Sequence, residues 1–264
     1  MKTVTSKDGT TIAFDQWGSG PVVILVDGAL QYRAFDQGMT DLADLLAKHF
    51  TVIHYDRRGR GDSTDTQPYA LDREIEDIEV IIDEAGGSAS LYGISSGAAL
   101  AMEAAIKLGD KVSKLVMYEA PYNDEEAAQQ AWREYVKQLK ELLAANRNGD
   151  AVGLFMMLVG ASPDDVKGIK QSPMWPLWES VGHTLAYDHI AALGEEATIP
   201  IEQAARVAMP ALVMDGSESF PFMHTTALAL AKAMPKGQHL TLEDQTHEVT
   251  AEALAPVLIE FFKA

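Results

Sequence analysis

Gly93-Ile94-Ser95-Ser96-Gly97 constrains this chain more than any other stretch. It lies between a strand-like apolar run, Ala89 to Tyr92, and a helix-like Ala-rich run, Ala98 to Leu108. A serine in G-x-S-x-G between a strand and a helix is the sequence form of a nucleophile elbow. The turn is tight enough to strain the serine backbone, and only glycine leaves room on either side. That strain exposes the serine Oγ above the sheet and turns the next backbone N–H toward the same spot. A glycine-rich turn of common residues is weak on its own, so its surroundings decide its meaning.

The surroundings are alternating strands and helices. Thr10 to Asp15, Val22 to Val26, Thr51 to Tyr55, Leu115 to Tyr118, Ala211 to Met214 and His239 to Leu242 read as further strands. Between them, Leu42, Leu45 and Leu46 mark one helix, and Ile75, Ile78, Val80, Ile81 and Ile82 mark another that stops at Gly86-Gly87. A helix from about Thr225 to Met234 and a last one carrying Leu254, Val257, Leu258, Phe261 and Phe262 complete the series. Buried strands alternating with helices imply a mostly parallel sheet covered on both faces. In such sheets the site lies beyond the C-terminal strand ends.

Residues from Pro121 to about Gln203 break this rhythm and read as all helical. Asn123 with Glu126 fits a capping box ahead of Trp132, Tyr135, Val136, Leu139, Leu142 and Leu143, which share one face. Ser162-Pro163 with Asp165 starts another helix. Met174, Trp175, Leu177, Trp178 and Val181 are unusually apolar for an insertion. We expect a lid over the elbow, with Leu30, Met174, Trp175 and Trp178 lining a substrate pocket. The domain division expected is 1–120 with 204–264 as the core and 121–203 as the cap.

Composition removes several classes of function. The net charge of −18 over 264 residues repels nucleic acid and anionic membranes and disfavours large anionic substrates. With no cysteine, disulfides, thiol catalysis and thiolate metal sites are excluded. No run approaches the ~20 apolar residues of a membrane span, and Met1 to Thr5 lacks an apolar signal core. We therefore expect a cytoplasmic protein acting on a small molecule, with neither nucleic acid nor membrane as partner.

Four stretches in order resemble the α/β-hydrolase superfamily. Val22 to Gly28 resembles the strand ending in that family's oxyanion turn, and Tyr55-Asp56-Arg57-Arg58-Gly59-Arg60-Gly61-Asp62-Ser63 its D-x-R-G-x-G-x-S turn. Gly93 to Gly97 matches the elbow, and Gln245-Thr246-His247 the loop carrying the catalytic histidine. The resemblance covers nearly the whole chain. It implies an eight-stranded sheet and no cofactor. With the residue reading, the fold expected is α/β, a mostly parallel eight-stranded sheet with helices on both faces and a helical cap after the sixth strand, and no metal is expected. Ester-type hydrolysis is the commonest activity of such proteins.

Nucleophilic hydrolysis needs a serine, a base, a carboxylate to hold the base and donors for the oxyanion. Ser95 is the expected nucleophile. Of seven histidines, only His247 sits after the last strand and before the last helix, where the family keeps its base. His49, His54 and His239 lie at strand edges and read as structural, and His183, His189 and His224 lack both a motif and metal-site spacing. The backbone N–H groups of Ala29 and Ser96 are the expected oxyanion donors. Arg57, Arg58 and Arg60 suggest an anion clamp, but this turn in the family supports neighbouring loops. Gly59 and Gly61 lack the third glycine of a dinucleotide fingerprint.

Three departures from the family pattern stand out. Asp27-Gly28 replaces the common His-Gly, Ile94 replaces a polar or bulky elbow residue, and Ser219 stands where the usual acid belongs in Gly216-Ser217-Glu218-Ser219. Glu119, in Tyr118-Glu119-Ala120, resembles the acid of relatives that carry it one strand nearer the elbow. We expect Glu119 as the acid ahead of Glu218 and then Asp215. Serine hydrolysis of a small apolar ester, thioester or lactone is the activity expected. A cofactor-free perhydrolase or haloperoxidase on the same triad, and a ligand-binding sensor with a vestigial triad, are the alternatives.

Overall fold

The computed structural model describes residues 1–264. Eight strands form one sheet: β1 (Lys2–Thr5), β2 (Thr11–Gly18), β3 (Val22–Val26), β4 (Thr51–Tyr55), β5 (Ala89–Ile94), β6 (Val112–Tyr118), β7 (Ala211–Gly216) and β8 (Gly237–Leu242). Their spatial order is β1-β2-β4-β3-β5-β6-β7-β8. β2 runs antiparallel to both its neighbours, and every pairing from β4 to β8 is parallel. The eight-stranded α/β architecture expected of the chain is present. β1 escapes sequence reading because four residues with a single apolar side chain, Val4, make an edge strand too short to show alternation.

Side chains on the central strands alternate between two cores, as the period of a strand demands. On β3, Ile24 and Val26 join the larger apolar cluster with α2 (Leu71–Glu84), α3 (Ser96–Leu108) and α9 (Pro221–Ala233). Val23 and Leu25 point the other way, toward α1 (Gln37–Leu46) and α10 (Ala251–Lys263). α3 can press against the sheet because Ala98, Ala99, Ala101, Ala104 and Ala105 are all buried and small.

Between β6 and β7 the chain leaves the sheet and is helical: α4 (Glu126–Ala144), α5 (Asn148–Leu158), α6 (Pro163–Ile169), α7 (Trp175–Val181) and α8 (Ile201–Ala204), with a 3₁₀ turn at Gly182–Thr184 and a π-helical turn at Tyr187–Ala192. α6 opens with the expected capping box, Ser162 Oγ accepting from the Asp165 N–H while Asp165 accepts from the Ser162 N–H. The capping box expected at Asn123 and Glu126 is absent. Asn123 Oδ1 instead accepts from the Glu125 N–H in a local turn, and α4 starts after Glu125 with no side-chain cap. No helix is long and apolar enough to cross a membrane.

Candidate active site

Ser95 has φ 56° and ψ −130° at the junction of β5 and α3, a conformation costing a non-glycine residue about 1–3 kcal/mol. The surrounding glycines are required by close approach. A Cβ at Gly93 would lie 2.4 Å from the Gly97 carbonyl, and one at Gly97 would lie 2.4 Å from the carbonyls of Val26 and Asp27. Ser95 is fixed from the neighbouring strand end, its N–H donating to the Tyr118 carbonyl at 2.9 Å. The Ser95 side chain remains half-buried, and its hydroxyl makes no hydrogen bond to the protein.

Glu119 follows β6 directly, with φ 47° and its side chain buried. One carboxylate oxygen accepts from the Gly216 N–H at 2.8 Å; the other accepts from Ser219 Oγ at 2.9 Å and contacts His247 Nδ1 at 2.7 Å. Three donors thus compensate the loss of water around this carboxylate. Tyr118 Oη donates to the Thr246 carbonyl, so the last residue of β6 and the one after it grip the histidine loop by two separate bonds. His247 Nε2 has no protein partner. The structure brings Glu119 to His247 and does not bring Glu218, whose side chain is exposed and unbonded. Asp215 is engaged elsewhere, by His224 and His239. Ser219, where the sequence pattern leads one to look for the acid, donates to Glu119 instead.

The loop after β3 is held from behind. Arg60 donates to the carbonyls of Gly28 and Gln31, and Arg57 donates to the Asp27 carbonyl at 3.1 Å. In a trans peptide the N–H points opposite to the C=O. Pinning the Gly28 carbonyl therefore turns the Ala29 N–H to the other side, and that N–H is unbonded. The Ser96 N–H is free as well, as the first N–H of a helix must be. A Cβ at Gly28 would come within 3.1 Å of Ser95 Cβ, so the loop and the elbow are in contact. Gly28 N–H donates to Gln31 Oε1, and Leu30 takes a left-handed turn with φ 63°. Asp27, fully buried, contacts His54 Nε2 at 2.9 Å and anchors the start of the loop.

The arginines form no open anion clamp. Arg57 makes a two-pronged pair with Glu74 at 2.8 and 2.7 Å, and Arg58 makes one with Asp77. Sequence reading missed their third partner, Asp188, which reaches in from the π-helical turn. It accepts from Arg57 at 2.5 Å, Arg60 at 2.6 Å and Ser96 Oγ at 2.8 Å. Arg60 Nε also donates to Thr184 Oγ1. One buried carboxylate thereby ties the helical segment to the elbow and the loop after β3. Next to it, burial pushes the His189 pKa down to about 4, leaving a neutral ring bonded to Tyr135 Oη at 2.6 Å.

Burial alone would raise the pKa of Asp188, but the charges of Arg57 and Arg60 outweigh it and hold the carboxyl below its ordinary 3.8. A lowered pKa in the folded state adds stability at pH above the unfolded value, lost as pH falls through the folded one. Asp188→Asn should therefore cost about 3–5 kcal/mol at neutral pH, because it leaves Arg60 buried without a counter-charge. Urea unfolding of both proteins from pH 7 downward checks this. The gap should persist to about pH 4 and narrow only below it. A gap under about 1 kcal/mol at pH 7 would contradict the tie.

A third apolar cluster joins the loop after β3 to the helical segment, including Leu30, Tyr32, Tyr135, Leu139, Val152 and Trp175. Trp178 packs against it, its ring edge-on to Phe35 at 5.4 Å and to Trp175 at 6.5 Å. Leu30, Trp175 and Trp178 are therefore brought together. Met174 is not: it is exposed at the start of α7. A cavity of about 610 Å³ opens at the root of this segment among Leu71, Glu103, Tyr122 and Ile199, and neither Ser95, Glu119 nor His247 lines it.

Comparison with known proteins identifies the family. A sequence profile described as "Alpha/beta hydrolase family" matches residues 18–253. A crystal structure of an alpha/beta hydrolase from Sphaerobacter thermophilus is 49% identical, with TM-score 0.86, over 99% of this chain and 100% of that one. The uncharacterized hydrolase YraK of Bacillus subtilis is 28% identical over 42% of this chain and 41% of its own length. A zearalenone hydrolase of Cladophialophora bantiana is 28% identical over 45% of this chain. The matched stretches thus span less than half of each of these two curated relatives, 41% and 46%. With the profile spanning most of its length and a solved structure alike from end to end, the chain belongs to the α/β hydrolase family.

Proposed function

We propose that the protein is a serine hydrolase cleaving a small, largely apolar carboxylic ester, thioester or lactone through an acyl-enzyme at Ser95. The observation that carries this is the Ser95 backbone itself, strained at φ 56° with an unbonded hydroxyl at the mouth of the parallel sheet. Strain held at one residue by its surroundings is a mark of a functional site.

In this mechanism His247 takes the Ser95 proton as Oγ attacks the carbonyl carbon. Glu119 holds the proton on Nδ1, leaves Nε2 as the base and stabilises the imidazolium that forms. The N–H groups of Ala29 and Ser96 take the developing oxyanion, having no other bond to break. His247 then protonates the departing alcohol or thiol, and water enters by the same route in reverse to release the acid. The helices of residues 121–203 act as a cap that excludes bulk water. An apolar substrate fits the aromatic cluster spanning the loop after β3 and the cap, and a net charge of −18 opposes anionic ones.

Hydrolysis rates on a panel of p-nitrophenyl esters from acetate to octanoate, thioesters and simple lactones test the proposal. Saturable turnover of at least one class is expected. Tight binding without turnover would favour a sensor, and turnover only with hydrogen peroxide would favour perhydrolysis. Within the same panel, Trp178→Ala should raise KM and shift the preferred acyl length, leaving the rate with the acetyl ester within about threefold. A lowered melting temperature with unchanged preference would instead make Trp178 only a packing residue.

A further inference from the structure

On the opposite side of the β7 end from Glu119, four side chains converge with no part in the proposed hydrolysis. Asp215 is the last residue but one of β7, His239 and Thr241 lie on β8, and His224 sits in the first turn of α9. In the parallel register Asp215 faces Thr241 and Val213 faces His239, so strand alternation puts Asp215, His239 and Thr241 on one face. α9 lies over that face and brings His224 to them.

We propose that Asp215, His224 and His239 form a site for a divalent transition-metal ion of the Zn²⁺ type. Their donor atoms all lie within 4.8 Å of one another. His224 Nδ1 is 2.9 Å from Asp215 Oδ2, and His239 Nε2 is 2.6 Å from Asp215 Oδ1. A tetrahedral ion with bonds of about 2.0–2.2 Å separates its ligand atoms by about 3.3 Å, so the His224 and His239 contacts to Asp215 would open by about 0.4 and about 0.7 Å. The two imidazole rings cross at 78° with centroids 5.3 Å apart, presenting separate nitrogens to one point. Two imidazoles and one carboxylate suit Zn²⁺, leaving the fourth position for water on the side where His224 is half exposed. Thr241 Oγ1, 3.3 Å from both carboxylate oxygens, orients the acid as outer partners of metal ligands do.

Charge points the same way. The Asp215 side chain is 1% exposed, yet no lysine or arginine pairs with it, unlike the buried acids Glu74, Asp77 and Asp188. A buried carboxylate needs hydrogen-bond donors, a cation or a metal, and the two imidazoles that Asp215 meets are themselves metal-ligand types. The ring nitrogens that now donate to Asp215 would bind the ion, so each imidazole must carry its proton on its other nitrogen in the bound state. The bound ion would clamp β7 to α9 across residues 217–220, the loop whose Ser219 hydroxyl donates to Glu119.

The test is a calorimetric titration of ZnCl₂ into the intact, chelator-treated protein, with Co²⁺ absorption reporting the geometry. Wild type should take up one ion per chain saturably, give a tetrahedral Co²⁺ spectrum and melt at a higher temperature with Zn²⁺. His224→Ala removes a half-exposed ring and should fold normally, yet bind at least ~100-fold more weakly. His239→Ala should do the same, while His49→Ala, remote from the cluster, binds as wild type. No saturable uptake by wild type, or equal uptake by the folded His224→Ala protein, would overturn the site and leave only an imidazole–carboxylate–imidazole bridge.

Discussion

Replacing Ser95 by alanine should lower kcat/KM for p-nitrophenyl esters on the order of 10⁴-fold or more while leaving the fold intact. The hydroxyl has no hydrogen bond to the protein, so its removal orphans no partner. Alanine is no larger than serine, and it meets the same left-handed strain that serine already bears at φ 56°. The melting temperature should therefore stay within a few degrees of wild type. The carbonyl can still be polarised by the Ala29 and Ser96 N–H groups, which sets the residual rate. Activity above a tenth of wild type in a well-folded Ser95→Ala protein would remove Ser95 from the nucleophile's role.

The second large effect separates the two carboxylates. Glu119→Gln keeps the size of the side chain, and its carbonyl oxygen can still accept from the Gly216 N–H. Its amide group then faces His247 Nδ1 as a donor meeting a donor, which drives the ring proton to Nε2 and removes the base. Removing the orienting carboxylate costs about 10⁴-fold in the serine-protease precedent, and at least roughly 10²-fold in kcat is expected here. Glu218→Gln should cost less than about tenfold, because that side chain is exposed and makes no hydrogen bond. Steady-state kinetics on one ester settle the comparison. A large loss at Glu218, or two small effects, would contradict the role given to Glu119.

The parts of this protein that are legible in sequence are those whose cause is local. Gly93, Ser95 and Gly97 announce the elbow because steric room and strain act within five residues. The Ser162–Asp165 cap is read correctly for the same reason, whereas Asn123 offered two local bonds and the structure uses the other. Glu119 is legible as a candidate acid only through family resemblance. What brings Glu119 to His247 is its register across β6 and β7 and the donation from Ser219, contacts between residues about 100 positions apart. Asp188 left no sequence signal at all. Its partners Ser96 and Arg57 are 92 and 131 residues away, and it sits in a π-helical turn without a motif. The arginine-rich turn signalled charge but not purpose, because guanidinium groups facing carbonyls and carboxylates look alike in sequence to guanidinium groups awaiting a ligand.

The proposal that Ser95 is an activated nucleophile is tested most directly by covalent labelling. The folded protein would be treated with a fluorophosphonate probe and the modified residue mapped by mass spectrometry. A single adduct on Ser95 is expected, absent from Ser95→Ala and formed much more slowly by Glu119→Gln, whose His247 can no longer take the serine proton. Absence of an adduct from the active, folded protein, or an adduct on another residue that persists in Ser95→Ala, would contradict it.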